Sequence, residues 1–125
     1  SISHTKDYAA ILLHDAFAVG IDIETRSERV IKIAGKFISD NEYIDPTQST
    51  VHQLLHWSAK ESLFKLMNEQ GVDFRHHLHI HPFTPELRGV IMATETKTEL
   101  TQSFRLHYEV HPDYVLTWAV GNTLK

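Results

Sequence analysis

A single helical period runs from Thr47 to Asn68. Val51, Leu55, Ser58, Ala59, Ser62 and Leu66 recur at three- and four-residue intervals, the spacing of one helix face. Pro46 or Thr47 can open this helix, and Gly71 can end it. A helix this long must bury its stripe, and the segments around it are mostly strand-like, so the partner is a sheet. The small residues Ser58, Ala59 and Ser62 in mid-stripe imply a close approach to that sheet. Leu54, Glu61 and Lys65 lie on one flank, at the edge of the core, where burial is partial and carboxyl or ammonium groups can be tuned. Lys60 points nearly opposite and is expected in solvent. Taken alone, Glu61 and Lys65 one turn apart also fit a surface ion pair.

Ahead of the helix the chain reads as short strands. Ser1 to Thr5 can form one, Lys6-Asp7 a tight turn, and the apolar run Tyr8 to Leu13 a buried second strand. Phe17 to Glu24 follows as a third, so an antiparallel meander is expected. Side chains alternate along a strand. Val19, Ile21 and Ile23 therefore share one face, expected against the core, and Gly20, Asp22 and Glu24 share the other. Two carboxylates at i and i+2 lie roughly 7 Å apart at the backbone. They repel, and a divalent cation between their tips would remove the conflict. Mg²⁺ favours a few carboxylates together with phosphate oxygens. A solvated polar strand face explains the same pattern.

A second helix is expected from Thr25 or Ser27 to about Ile38, with Val30, Ile33, Ala34 and Phe37 as its stripe. Arg29, Lys32 and Lys36 share its other side, with Arg26 just ahead. Ser39 to Glu42 has the form of a capping box, and Asp45-Pro46-Thr47 breaks the chain. Beyond the long helix, Phe74 to Phe83, Gly89 to Thr94, Gln102 to Val110 and Tyr114 to Val120 read as strands. The fold class is thus α+β, a mainly antiparallel sheet packed by a long helix in one domain.

With 125 residues and 42% hydrophobic content, the chain can bury a core of ordinary size. Its formal net charge of −4 excludes bulk electrostatic binding of nucleic acid; the basic face fits a patch for an acidic partner, and an ordinary solvated helix face explains the same pattern. The absence of cysteine excludes disulfides, thiolate metal sites and cysteine nucleophiles. No apolar run reaches the length of a membrane span, so no membrane partner is expected and a cytoplasmic location is the default.

Gly20-Ile21-Asp22-Ile23-Glu24, followed at this separation by Trp57-Ser58-Ala59-Lys60-Glu61-Ser62 and Lys65, resembles the signature of the 4′-phosphopantetheinyl transferases. Ser1-Ile2-Ser3-His4 resembles a segment found just ahead of it in the larger, Sfp-type members. Lys36 to Glu42 resembles the segment between the two motifs. The resemblance covers the first half of the chain directly. It implies transfer of 4′-phosphopantetheine from coenzyme A to a serine of an apo acyl or peptidyl carrier protein, as in fatty acid or polyketide biosynthesis, with release of 3′,5′-ADP. Asp22, Glu24 and Glu61 correspond to carboxylates that hold Mg²⁺, with Mn²⁺ as an alternative. Glu61 also corresponds to the favoured general base. Lys65 would stabilise charge on the phosphate, and Ser3 and His4 would hold the coenzyme. Arg26, Arg29, Lys32, Lys36 and Glu42 would meet the carrier protein.

Sfp-type enzymes have two similar halves, and this chain begins where the second begins. It is expected to be a C-terminal half that needs an N-terminal half or self-association, and to be inactive alone if neither is present. A half-domain that serves only as a carrier-protein scaffold is the alternative. His77, His79 and His81, with His76 beside them, would share a strand face able to bind Zn²⁺ or Ni²⁺, or form a merely histidine-rich strand. His52 and His56 read as surface or packing residues.

Overall fold

The apolar line of the long helix meets a five-stranded antiparallel sheet. A computed structural model describes residues 1–124. The elements in chain order are β1 (Ile2–His4), β2 (Ala9–Ile11), β3 (Phe17–Thr25), α1 (Arg29–Ile33), α2 (Ser49–Met67), α3 (Phe74–His77), β4 (Leu78–Ile80), β5 (Arg88–Glu95), β6 (Ser103–Val110) and β7 (Tyr114–Leu124). The sheet order is β3-β7-β6-β5-β4, with every neighbouring pair antiparallel. The main core lies between α2 and this sheet, where Leu55, Ala59 and Leu63 pack with Ile80, Ile91, Leu106 and Val115. Among the described residues no helix is long and apolar enough to cross a membrane.

The first three strands are not a meander. β1 pairs only with β2, through Ile2↔Ile11 and Ser3↔Ala10, whereas β3 pairs with β7 across the whole chain. Three residues per strand make a ribbon too short to extend a sheet. Nor is the Tyr8 to Leu13 run buried: Ile11 is 62% and Leu13 82% exposed.

The faces of β3 are also reversed from expectation. Asp22 lies opposite Thr117 on β7, and the Thr117 hydroxyl bonds to Ser58 and Ser62 of α2. Partners directly opposite in an antiparallel pair point to the same face. So Gly20, Asp22 and Glu24 face the helix, while Ile21 and Ile23, though buried, lie outside the main core cluster. Gly20 is where helix and strand touch, with no room for a Cβ beneath the Ser62 carbonyl.

Other boundaries moved for local reasons. α1 spans only Arg29–Ile33 and is followed by a 3₁₀ turn at Ala34–Lys36. Its β-branched run Val30-Ile31, then Ile33, and Gly35 just after are weak helix formers. Ile33 is exposed rather than in a stripe. Only half of the Ser39–Glu42 box forms: Glu42 Oε1 accepts from the Ser39 N–H, but the Glu42 N–H goes to the Ser39 carbonyl as in a turn, and no helix starts there. α2 ends at Asn68, whose left-handed φ of 53° closes it three residues before Gly71. Phe74–His77 is a helical turn rather than strand, because Asp73 caps it by accepting from the Arg75 and His76 N–H groups. His77 is thereby removed from the strand face that His79 and His81 occupy.

Lys60 is the largest reversal. It is fully buried, not solvated. Its ammonium donates to Glu42 Oε1 at 2.8 Å and to the Phe37 and Phe74 carbonyls. The segments around residues 37–42 and 73–80 close over that side of the helix.

Candidate active site

Two elements carry the acidic cluster. β3 presents Asp22 and Glu24 from beneath, and α2 presents Glu61 and Lys65 from above. The hydroxyls between them set the spacing. Ser62 Oγ donates to the Thr117 carbonyl at 3.1 Å, and Ser58 Oγ reaches the Asp22 carbonyl at 3.4 Å. The small residues in mid-helix thus bring α2 close enough for its flank to meet the carboxylates of the strand.

Asp22 is buried. Its Oδ1 accepts from Ser3 Oγ at 3.4 Å and stands 3.7 Å from Lys65 Nζ. Its Oδ2 is buried with no hydrogen-bond partner among the described residues. Burial first, then the closeness and charge of Glu24, push its carboxyl up to about 8, against the pull of Ser58 and Lys65. Burial also raises Glu24, to which the Glu61 charge adds, while Asp22 and the Trp57 indole N–H oppose. Burial and the Asp22 charge raise Glu61, with Lys65 opposing. All three acidic groups are therefore raised, by burial first and then by the charge of a neighbouring carboxyl, as happens when carboxyls crowd without enough cation between them.

Lys65 bridges the elements. Its ammonium donates to the Ile21 carbonyl at 2.9 Å and to the Ile2 carbonyl at 3.3 Å. It balances only part of the acidic charge.

A family profile described as the 4′-phosphopantetheinyl transferase superfamily matches residues 18–119. The chain belongs to that superfamily. The match runs from the start of β3 into β7, so it spans both walls of the acidic cluster and leaves the β1–β2 ribbon outside. No curated protein matches the chain. Membership makes this a transferase domain, and transferases of the superfamily in general use coenzyme A and Mg²⁺. Among the described residues no three His, Asp or Glu side chains form a ready metal cage. The donor chemistry nonetheless fits a hard cation: carboxyl oxygens only, all raised by burial and neighbouring charge, with one buried oxygen lacking a partner among the described residues.

Of the remaining expected site residues, Ser3 alone reaches the cluster. His4 is exposed on β1, whereas Ser3 is buried against Asp22 and Ile23. Glu42 lies outside the cluster, its carboxylate spent on Lys60, Ser39 N–H and Ile80 N–H. That burial leaves it no surface to offer a carrier protein. Arg26, Arg29, Lys32 and Lys36 are exposed, with Ile31 and Ile33 among them. A shallow groove of Ile33, Phe37, Trp57 and Phe74 adjoins this basic face. The rings of His79 and His81 lie 5.6 Å apart, and His81 Nε2 is engaged by Thr94 Oγ1. His52 and His56 are core residues packed against Phe83. Thr117 and the indole of Trp57 were not foreseen as parts of the site. The position of Trp57 one turn before Glu61 was the available signal.

Proposed function

We propose that the domain transfers the 4′-phosphopantetheine arm of coenzyme A to a serine hydroxyl of an apo acyl or peptidyl carrier protein. The observation that carries this reading is the Asp22–Glu24–Glu61 cluster with its unpartnered Asp22 Oδ2, in a chain of this superfamily. Asp22, Glu24 and Glu61 would hold Mg²⁺ or Mn²⁺. The metal, when bound, neutralises charge on the coenzyme pyrophosphate and its leaving group.

The chain's own groups do the rest. Glu61, partly exposed and raised by its surroundings, is basic enough to take the proton of the incoming serine. The serine oxygen then bonds to the phosphorus that carries the pantetheine arm. The bond from that phosphorus to the bridging oxygen breaks, and 3′,5′-ADP leaves. Lys65, already fixed beside Asp22, offers its ammonium to the phosphate oxygens as charge grows on them. Arg29, Lys32 and Lys36, with the apolar groove beside them, suit an acidic helix that carries one apolar side chain.

The exposed Ile2, Ile11 and Leu13 support a second half or a further copy that covers the ribbon face. The alternative, a half-domain that only binds carrier proteins, leaves the crowded carboxyls unexplained, since they work against folding unless used. Mass spectrometry of an apo carrier protein with coenzyme A, Mg²⁺ and the full-length protein is the test. A mass gain of one phosphopantetheine arm is expected, and its absence overturns the reading.

A further inference from the structure

β3 is an edge strand, so the N–H and C=O groups of its outward residues have no strand to receive them. Ile21 and Ile23 are two such residues, and both are buried. A buried N–H without an acceptor is costly. Here hydroxyls act as the acceptors. Ser1 Oγ accepts from the Ile21 N–H at 3.1 Å, and Ser3 Oγ accepts from the Ile23 N–H at 3.0 Å. The match is one of repeat lengths. Outward N–H groups recur every second residue along β3, and hydroxyls at i and i+2 recur at the same rise along β1. The Ile21 carbonyl between them accepts from Lys65, which also holds the Ile2 carbonyl.

The residue enclosed by these contacts is Asp22. We propose that Ser1 and Ser3 form a hydroxyl clamp on the backbone to either side of Asp22, and that Ser3 is a positioning residue for that carboxylate rather than a contact to the coenzyme. A serine hydroxyl has one proton to donate. Ser3 gives it to Asp22 Oδ1 while accepting from Ile23. Phosphate oxygens are acceptors, so the Ser3 hydroxyl could bind a phosphate only by taking that proton from Asp22. The neighbouring His4 is the exposed member of the pair.

The role of the clamp in metal binding rests on the functional reading above; the clamp itself does not. The test uses Ser1→Ala, Ser3→Ala and Ser3→Thr in the full-length protein. Residue-resolved amide exchange should rise roughly tenfold at Ile21 in Ser1→Ala and at Ile23 in Ser3→Ala, with the β7-facing amides of β3 unchanged. Mn²⁺ affinity, titrated by electron paramagnetic resonance, should fall about tenfold or more in Ser3→Ala and recover in Ser3→Thr. Coenzyme A binding in the presence of chelator should not change. A loss of metal-free coenzyme binding with Mn²⁺ affinity intact would overturn the assignment of Ser3. Uniform exchange across the chain would overturn the clamp. If Ser3→Ala does not fold, Ser1→Ala at Ile21 decides the clamp. A wild type that takes up no Mn²⁺ refutes the functional reading, and the exchange data then decide the clamp alone.

Discussion

Replacing Gly20 with alanine would test directly how the two walls of the site are held. A Cβ added at Gly20 would fall 1.9 Å from the Ser62 carbonyl oxygen, 2.9 Å from its carbon and 3.1 Å from the Leu66 nitrogen. Those atoms are the acceptor and donor of one i to i+4 helical bond. Neither can swing aside as a side chain could. Ordinary contact begins at 3.4 Å, so α2 and β3 must part by about 1.5 Å at this point. Overpacking costs ~1–3 kcal/mol where side chains can adjust, and the top of that range or more is expected against backbone. For a domain of this size that lowers Tm by roughly 10 °C or more.

The same separation disturbs the chemistry. Lys65 must hold the Ile21 carbonyl at 2.9 Å and Asp22 at 3.7 Å across this junction. A misplacement of about 1 Å can cost 10²-fold in rate, so transfer by folded Gly20→Ala should fall by about that factor. Gly35→Ala is the control, because its Cβ would meet nothing within 4 Å. Thermal melts by circular dichroism, with the carrier-protein mass assay below the melt, read both effects. A Gly20→Ala protein as stable as Gly35→Ala would refute the helix–strand contact described above.

Removing one partner of the buried Lys60–Glu42 pair, as Lys60→Met, should destabilise by ~3–5 kcal/mol, and Lys60→Met/Glu42→Gln should recover part of it, because Gln removes the unpaired charge and keeps an acceptor for a backbone N–H. Urea unfolding of the three proteins checks this, and a double variant no better than the single one would refute it. His56 is buried, its Nδ1 3.6 Å from Glu42 Oε2, and burial first, then the Lys60 charge, hold it down at about 2. Its folded value lies below its unfolded one of ~6.5, so the neutral ring is compatible with folding above pH ~6.5 and opposes it progressively as the pH falls toward 2. Relative to His56→Leu, wild type should lose ~2.7 kcal/mol between pH 7.5 and 4.5; a stability difference that does not change with pH would contradict the neutral buried ring. Glu61→Gln should lower transfer ~10²–10⁴-fold while melting at or above the wild-type temperature, because it removes one crowded charge. Full activity in Glu61→Gln would refute its role as base.

Much of the fold class and the cluster was legible in the chain. The helical period located α2, and alternation placed Asp22 and Glu24 together on one face of β3. The small Ser58, Ala59 and Ser62 announced a close approach. The basic residues of the 26–36 segment are exposed as expected, though on a short helix and 3₁₀ turn rather than one regular helix. The environment of Lys60 was not legible. A lysine opposite an apolar stripe is normally solvated, and only chain segments remote in sequence bring Phe37, Glu42 and Phe74 over it. Likewise, the apolar content of Tyr8 to Leu13 indicated burial, but which surface covers an apolar strand is not encoded in the strand itself.

By itself the sequence determined periods and residue types. It set a helix with a carboxylate and an ammonium one turn apart, and a strand with two carboxylates on one face. Tertiary structure alone decided which face of that strand met the helix. Pairing of β3 with β7 rather than β2 turned Asp22 inward beneath α2, beside Thr117, Ser58 and Lys65. The physical reason is that alternation fixes only what lies on the same side. The choice between sides is made by non-local partners, here a strand almost a hundred residues away and two serine hydroxyls at the free edge.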